Sequence, residues 1–298
     1  MSTVNFQLVP AQTGGATAEA NPLTDIRLRT AVPEGAFKTW LERLGHPFDH
    51  ATVPAFMESR IARTYQALND AGILDVLDWL YISNGDLDYS LVNWISGGGD
   101  ALNFGATMSG GSFHTDGVAT YLEANMAANV ASRDAPNFTL EAASVFVFLT
   151  AEPANPAEQS TTPIIGAPLG VNSDRVRLHR NPGSPHHQLR LNGISDSTMN
   201  TGGITDDDWT AGLWSVTRAT ATTVEMHKGA TLMGTVDNVA ADSLVSACAV
   251  GAGGSGDTFG AQSFTAFGGG GILTDDQRAI LNDTLTQHSD EIVLNLSV

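Results

Sequence analysis

Three patterns in this chain could carry chemistry. Asp206-Asp207-Asp208 precedes Trp209, and consecutive carboxylates offer the oxygen ligands that a hard cation such as calcium takes. An EF-hand needs the order Asp-x-Asp-x-Asp-Gly, which is absent, so the competing reading is a solvated acidic turn entering a strand. His186-His187 follows the turn-rich Asn181–Pro185. Adjacent imidazoles could bind a metal, but no Asp or Glu stands at ligand spacing, which favours an exposed hairpin tip. Trp94, Trp209 and Trp214 are aromatics able to stack on the apolar face of a pyranose. The competing reading of each is burial in the core. Trp94, Trp209 and His187 are therefore the candidate carbohydrate-binding residues. Asp206, Asp207 and Asp208 are the candidate calcium loop, and no other cofactor is implied.

Other constellations fail on geometry. Ser112, His114 and Asp116 have the residue types of a nucleophilic triad, but three residues so close on one extended segment cannot adopt that arrangement. Glu-x-Asp-x-x-Glu is the motif of retaining glycosidases built on β-sandwiches, in which nucleophile and acid lie about 5–5.5 Å apart. No such triplet occurs, and Glu141, Glu152 and Glu158 are spaced wrongly. An enzyme is thus not expected, although carboxylates from distant strands could converge. Gly251-Ala252-Gly253-Gly254-Ser255-Gly256 lacks the Lys-Ser/Thr of a phosphate-binding loop and opens no helix. Cys248, the single cysteine, lies in the apolar run Leu244–Val250 without a neighbouring His or Lys, which reads as a small buried thiol.

Composition narrows the class. The 298 residues can bury a sizeable core, and β-sandwiches of about 200–250 residues are ordinary single domains. Charged residues make up 15%, against about 25% in typical chains, so Ser, Thr, Asn, Gln and Gly must supply the polar surface. That favours strands and turns over long charged helices. Lys and Arg number 14 against 32 Asp and Glu, a net charge of −18. Nucleic acid is not an expected partner, because phosphate neutralisation needs clustered cations, and the balance repels anionic membranes. No run of 18 apolar residues exists to span a bilayer, and Met1–Asn21 does not read as a secretory signal.

The elements that must position these residues follow from spacing. Residues 1–50 read as an arm with too few apolar residues for its own core. Thr52–Ala71 reads as a helix, with Val53, Phe56, Met57, Ile61, Tyr65 and Leu68 on one face and Gly72 ending it. Ile73–Ile82 reads as a short helix running into a strand. From Leu91 the period shortens to that of strands: Leu91–Ile95, Ala101–Phe104, Ser112–Phe113, Ala119–Leu122, Ser144–Thr150, Thr162–Leu169, Arg175–His179 and Gln188–Asn192. Gly212–Thr217, Thr223–Lys228 and Thr231–Val236 add three more, the last two joined at Gly229-Ala230. Gly268–Gly271 would let the chain pass close to the sheet. Thr274-Asp275-Asp276-Gln277 is a capping box before the stripe Ile280, Leu281 and Leu285, and Ile292–Val298 alternates as a returning strand would.

Two segments together resemble known proteins. Ala71-Gly72-Ile73 through Leu77, Leu80-Tyr81, Asn93-Trp94, Phe113, Asp116-Gly117 and Tyr121-Leu122 resemble a pattern in virion proteins of tailed bacteriophages. The order Trp214–Thr217, Val224–Thr235, Leu244–Gly251 and Phe267–Leu285 resembles the concanavalin A-like (LamG-type) jelly roll. The resemblance covers roughly residues 52–292. It implies a mainly β, concanavalin A-like jelly-roll sandwich over 91–298, a short helical lead-in over 51–90, an attachment or oligomerisation arm over 1–50 and a C-terminal capped helix. It also implies a virion structural protein of a phage or gene-transfer-agent-like particle: a spike, fibre or tail appendage that adheres to host-surface glycans. Its partners would be other virion proteins, through the arm, and host capsule or surface polysaccharide. The chain would be made in the host cytoplasm, displayed on the particle surface and assembled as a homo-oligomer. The alternatives are a particle-borne polysaccharide-degrading enzyme and a decoration protein without a ligand. The calcium- and sugar-binding loop of many lectins with this fold has no counterpart in the sequence.

Overall fold

The computed structural model describes residues 55–95, 99–124, 136–153, 162–166, 176–180, 186–192, 197–200, 209–237, 248–253 and 258–296. The expected arm over 1–50 and the acidic loop Asp206–Asp208 lie outside them. In chain order the elements are α1 (Ala55–Asp70), α2 (Ile73–Val76), β1 (Leu77–Ile82), α3 (Leu87–Ser90), β2 (Leu102–Phe104), β3 (Thr107–Ser109), β4 (Ser112–Asp116) and β5 (Tyr121–Ala124). There follow β6 (Ala143–Leu149), β7 (Thr162–Gly166), β8 (Val176–Arg180), β9 (His186–Leu191), β10 (Ser197–Asn200), β11 (Gly212–Arg218), β12 (Val224–Lys228) and β13 (Thr231–Val236). The last are β14 (Cys248–Val250), β15 (Ala252–Gly253), β16 (Thr258–Phe259), β17 (Ala261–Gly270) and α4 (Asp275–Leu296).

Two antiparallel sheets form a sandwich. The first has the order β13-β12-β11-β6-β17-β4-β3, with β1 also paired to β17; the second runs β10-β9-β8-β7-β14-β5-β2, and β15 and β16 form a separate ribbon. Strand alternation builds the core between them. Val145, Val147 and Leu149 of β6, with Trp214 and Val216 of β11, meet Val176 and Leu178 of β8 and Leu189 and Leu191 of β9 in one apolar cluster. Strand β6 is buried along its whole length, as its continuous apolar run predicts for a strand covered on both faces. Its second face is covered because α4 packs across β11 and β17.

The capping box forms as the sequence predicts: the Gln277 amide donates to Thr274 Oγ1 at 3.2 Å, and the Thr274 amide to Gln277 Oε1 at 3.1 Å. Gly72 takes φ +66° between α1 and α2. Three expectations are corrected. Ile292–Leu296 does not return as a strand, because α4 continues to Leu296. The buried stripe of α4 is Leu281, Leu285, His288 and Ile292 at helical spacing, and Ile280 is exposed. Leu91–Ile95 is not a strand either. Asn93 Oδ1 accepts the amides of Leu80 and Ile95, each at 3.0 Å, and the Trp94 amide donates to the Leu80 carbonyl at 2.8 Å. A side chain competing for backbone partners replaces a ladder here.

The glycine run sits inside β17 rather than after the sheet. A Cβ on Gly268 would lie 2.6 Å from Phe146 Cζ, one on Gly269 2.7 Å from Trp79 Cη2, and one on Gly270 2.5 Å from the Val76 carbonyl. Each glycine is thus a contact surface for a neighbouring ring or backbone. Alanine at position 269 should destabilise the protein by about 1–3 kcal/mol in urea unfolding, the usual cost of overpacking. Trp79→Phe, which trades the indole for a smaller ring, should recover part of that loss in a double-mutant cycle. A Gly269→Ala variant with an unchanged midpoint would contradict the packing described.

Three histidines are buried neutral. Burial, aided by Arg60, pushes His288 down to about 3; its Nε2 donates to the Ser83 carbonyl at 2.8 Å, and its Nδ1 accepts from Thr64 Oγ1 at 2.7 Å. Burial, with Arg177 and Arg190 adding, holds His179 at about 3. Burial, with Arg278 adding, holds His227 at about 4. Unfolded histidine titrates near 6.5, so below that pH the unfolded chain binds more protons and stability falls. The contribution is complete above about pH 6.5 and declines by about 1.4 kcal/mol per pH unit for each histidine. Urea midpoints between pH 7.5 and 5 should fall accordingly, and His288→Gln should remove about one proton from that slope.

Candidate functional site

The described surface carries one aromatic stack. Strand β2 is the edge of the second sheet, and its register on β5 sets Leu102 opposite Glu123 and Phe104 opposite Tyr121. Leu122 and Ala124 are fully buried in the core, so alternation turns Tyr121 and Glu123, with Leu102 and Phe104, to the outer face. Leu102 is 41% and Phe104 43% exposed. The Phe104 and Tyr121 rings lie 4.5 Å apart with 14° between their planes, and Phe259 of β16 follows at 6.3 Å and 24° from Tyr121. At 4.5 Å near-parallel rings overlap face to face. No further described strand lies beyond β2, so the open face of this stack is that of Phe104 on the sheet edge.

The stack is held by turns that the sequence spells out. Asp116 Oδ1 accepts the amides of Val118, Ala119 and Thr120 at 2.8, 2.9 and 3.0 Å, while the Asp116 amide donates to Thr120 Oγ1 at 2.8 Å. Gly117 takes φ +71° in that turn, and the chain leaves it directly into Tyr121. The hydrogen bonds from Ala119 and its neighbours hold the Asp116 carboxyl far below the ordinary carboxylate range. On the other side Gly105, at φ +83°, ends β2, and Asn103 Nδ2 donates to the Ala106 carbonyl at 3.1 Å. Gly251 turns the chain from β14 into the ribbon that presents Phe259; its φ is +85°, and its amide donates to the Ile164 carbonyl.

One carboxylate, Glu123, comes from these two strands. Burial pushes it above its ordinary value. Burial and then Glu123 push the Tyr121 phenol upward. An aromatic face with an adjacent acceptor can bind the apolar side of a sugar and take hydrogen bonds from its hydroxyls.

The residues singled out from the sequence lie elsewhere. Trp94 is 1% exposed, with its ring edge-on to His288 at 6.3 Å. Trp209 is 0% exposed and stacks on Trp214 at 4.2 Å and 18°. Rings so enclosed present no face to a sugar; both serve the core. His186 and His187 begin strand β9 rather than forming a hairpin tip, and His187 pairs in register with Met199 of β10. Asp206–Asp208 fall outside the described residues, among which no three His, Cys, Asp or Glu side chains cluster as metal ligands. Cys248 is buried, and burial pushes its thiol up to about 12.

Ser112, His114 and Asp116 form no triad. His114 Nδ1 meets Ser263 Oγ at 2.8 Å across the β4–β17 pair, and its Nε2 meets the Ser109 carbonyl at 3.0 Å. Phe104, Tyr121 and Phe259 were missed because no local signal separates them from core aromatics. The usable clue is that Tyr121-Leu122-Glu123-Ala124 alternates with a carboxylate in phase with the tyrosine.

No family model matches this chain, and no curated protein matches it. Solved structures do match. The ligand-binding domain of botulinum neurotoxin serotype D in complex with N-acetylneuraminic acid is 10% identical, with a TM-score of 0.50 over 73% of this chain and 52% of that one. A sialidase of Trypanosoma rangeli is 12% identical, with a TM-score of 0.51 over 77% and 39%. A botulinum neurotoxin type C structure, concerned with cell entry through two ganglioside molecules, is 13% identical, with a TM-score of 0.52 over 72% and 53%. This chain spans about half or less of each of these chains. At such identity the likeness is one of fold, and it agrees with the architecture above: a mainly β sandwich of two antiparallel sheets with a C-terminal capped helix.

Proposed function

We propose that this protein is a carbohydrate-binding β-sandwich of concanavalin A-like type that adheres to surface glycans through the stack Phe104–Tyr121–Phe259. The observation that carries the reading is an exposed aromatic face on a sheet edge, fixed from both sides by turns. The fold is shared with a toxin domain described in complex with N-acetylneuraminic acid, which supports a glycan as the class of ligand. The sialidase of similar fold makes hydrolysis the rival activity. Hydrolysis by the usual carboxylate pair finds one partner only in strands β2 and β5, which contribute the single carboxylate Glu123.

The setting we propose is the outer surface of a virion or virus-like particle. There the first 50 residues would attach the sandwich to other particle proteins or to copies of itself. The support for this is the sequence resemblance to phage virion proteins and the small, polar composition of Gln12–Asn21. Immunogold labelling of purified particles with an antibody to the sandwich should decorate their surface; particles that carry no label would reject this setting.

Binding is tested on a glycan array followed by titration calorimetry. Phe104→Ala and Tyr121→Ala should each weaken the best ligand about tenfold or more, the equivalent of one lost aromatic contact. The melting temperature of Phe104→Ala should change little, because Phe104 is 43% exposed. Trp94→Phe, a change inside the core, should leave affinity unaltered in the folded variant. A polysaccharide incubated with the protein should be retained at full length; shortening would favour the hydrolase.

A further inference from the structure

A serine and a histidine meet on the outer face of the first sheet. Phe113 of β4 and Phe264 of β17 belong to the core. Alternation therefore turns their neighbours His114 and Ser263, which pair in register, to the other side. Both are partly exposed. The contact between them has a direction. His114 Nε2 lies 3.0 Å from the Ser109 carbonyl, a group that can only accept, so the neutral ring carries its proton on Nε2. Nδ1 then turns its lone pair to Ser263 Oγ at 2.8 Å, and the serine hydroxyl is the donor. A hydroxyl donating to an imidazole whose other nitrogen is anchored by an acceptor is the arrangement that activates a serine.

The strands hold both partners in place. The Ser263 carbonyl accepts the Thr150 amide at 2.8 Å on one side, and β4 pairs with β17 on the other. Ser109, whose carbonyl anchors the ring, is set opposite Ser112 by the tight turn Gly110-Gly111, with φ +56° and +78°. The residues in register around the pair are small: Thr107, exposed and opposite His114, and Ala261, two residues before Ser263. Asp116, two residues along β4, spends its Oδ1 on the amides of its own turn.

We propose that Ser263 is a nucleophile and His114 its general base, acting on small carboxylic esters. This goes beyond the adhesive reading and does not depend on it. Ser263 Oγ attacks the ester carbonyl carbon as its proton passes to His114 Nδ1. The bond from that carbon to the alcohol oxygen breaks, and the alcohol leaves with the proton. Water then attacks the acyl-serine and gives a proton to Nδ1; the acyl bond to Oγ breaks, the carboxylic acid leaves and Ser263 recovers its proton. An ester is the fitting class because an alcohol leaves more readily than an amine.

The test incubates the full chain with p-nitrophenyl acetate, follows p-nitrophenol release and maps the acetylated peptide by mass spectrometry. Release should exceed that in buffer and that of the urea-unfolded chain, with the acetyl group on Ser263. Ser263→Ala should abolish the excess, and His114→Gln should lower it about a hundredfold or more, the usual weight of a general base. Ser112→Ala, at the neighbouring serine of the same face, should leave it unchanged. Circular dichroism establishes that each variant is folded. Release no faster than in buffer, release unaltered by Ser263→Ala or His114→Gln in a folded variant, or an acetyl group carried by another residue instead would each overturn the proposal.

Discussion

The close approach of Trp79 to the glycines of β17 is the contact on which the sandwich depends. Strand β17 holds three neighbours at once: β6 along one side, with β4 and β1 sharing the other. Side chains at 268–270 would push β1 and the Phe146 ring away. With hydrogen there, Trp79 reaches the core and packs on Phe138 at 5.3 Å. The position of β1 then fixes the helices, since Ser83, at the end of that strand, accepts from His288 of α4. Arg63 of α1 closes the same corner with an ion pair to Glu291.

The stack inherits its place from that hub through one residue. Thr115 of β4 donates from Oγ1 to the Gly260 carbonyl at 2.6 Å and accepts from the Gln262 amide at 3.1 Å. Gln262 in turn reaches the Pro163 carbonyl of the second sheet. This polar tie lies where the chain passes from β4 through the Asp116 turn into β5. A short turn between paired strands in different sheets leaves Tyr121 little freedom of register. The ring contacts with Phe104 and Phe259 follow from it rather than from any affinity of the rings for each other.

Elements were legible where a local rule decides them. The capping box at Thr274 is set by reciprocal hydrogen bonds within four residues, and Thr231–Val236 follows the Gly229-Ala230 turn as a strand-like run. The whole-run burial of β6 shows in its composition. Burial side was not legible. Trp94 and Phe104 are both aromatics near short strand-like runs, yet one is enclosed under α4 and the other stands at an edge. Which of them faces solvent depends on sheet order, and β2 becomes an edge only because β5 pairs with β14 on its other side. Non-local pairing of this kind leaves no mark in a seven-residue window. Ile292 failed for the opposite reason: a short alternating run also fits the three- and four-residue spacing of the helix that α4 continues.

Electrostatics divides the molecule into two parts with different roles. The basic side chains Arg60, Arg177, Arg190, Arg218 and Arg278 are buried or nearly so, and Arg60, Arg177, Arg190 and Arg278 add to the burial that keeps neighbouring histidines neutral. Arg60 donates to the Asn84 carbonyl, Arg218 to Leu191 and Arg278 to Leu273. Cations spent on the interior are not available to an outer face, and strands β2 and β5 carry one carboxylate, Glu123, and no lysine or arginine. A sandwich of this fold therefore says nothing by itself about which sugar it meets.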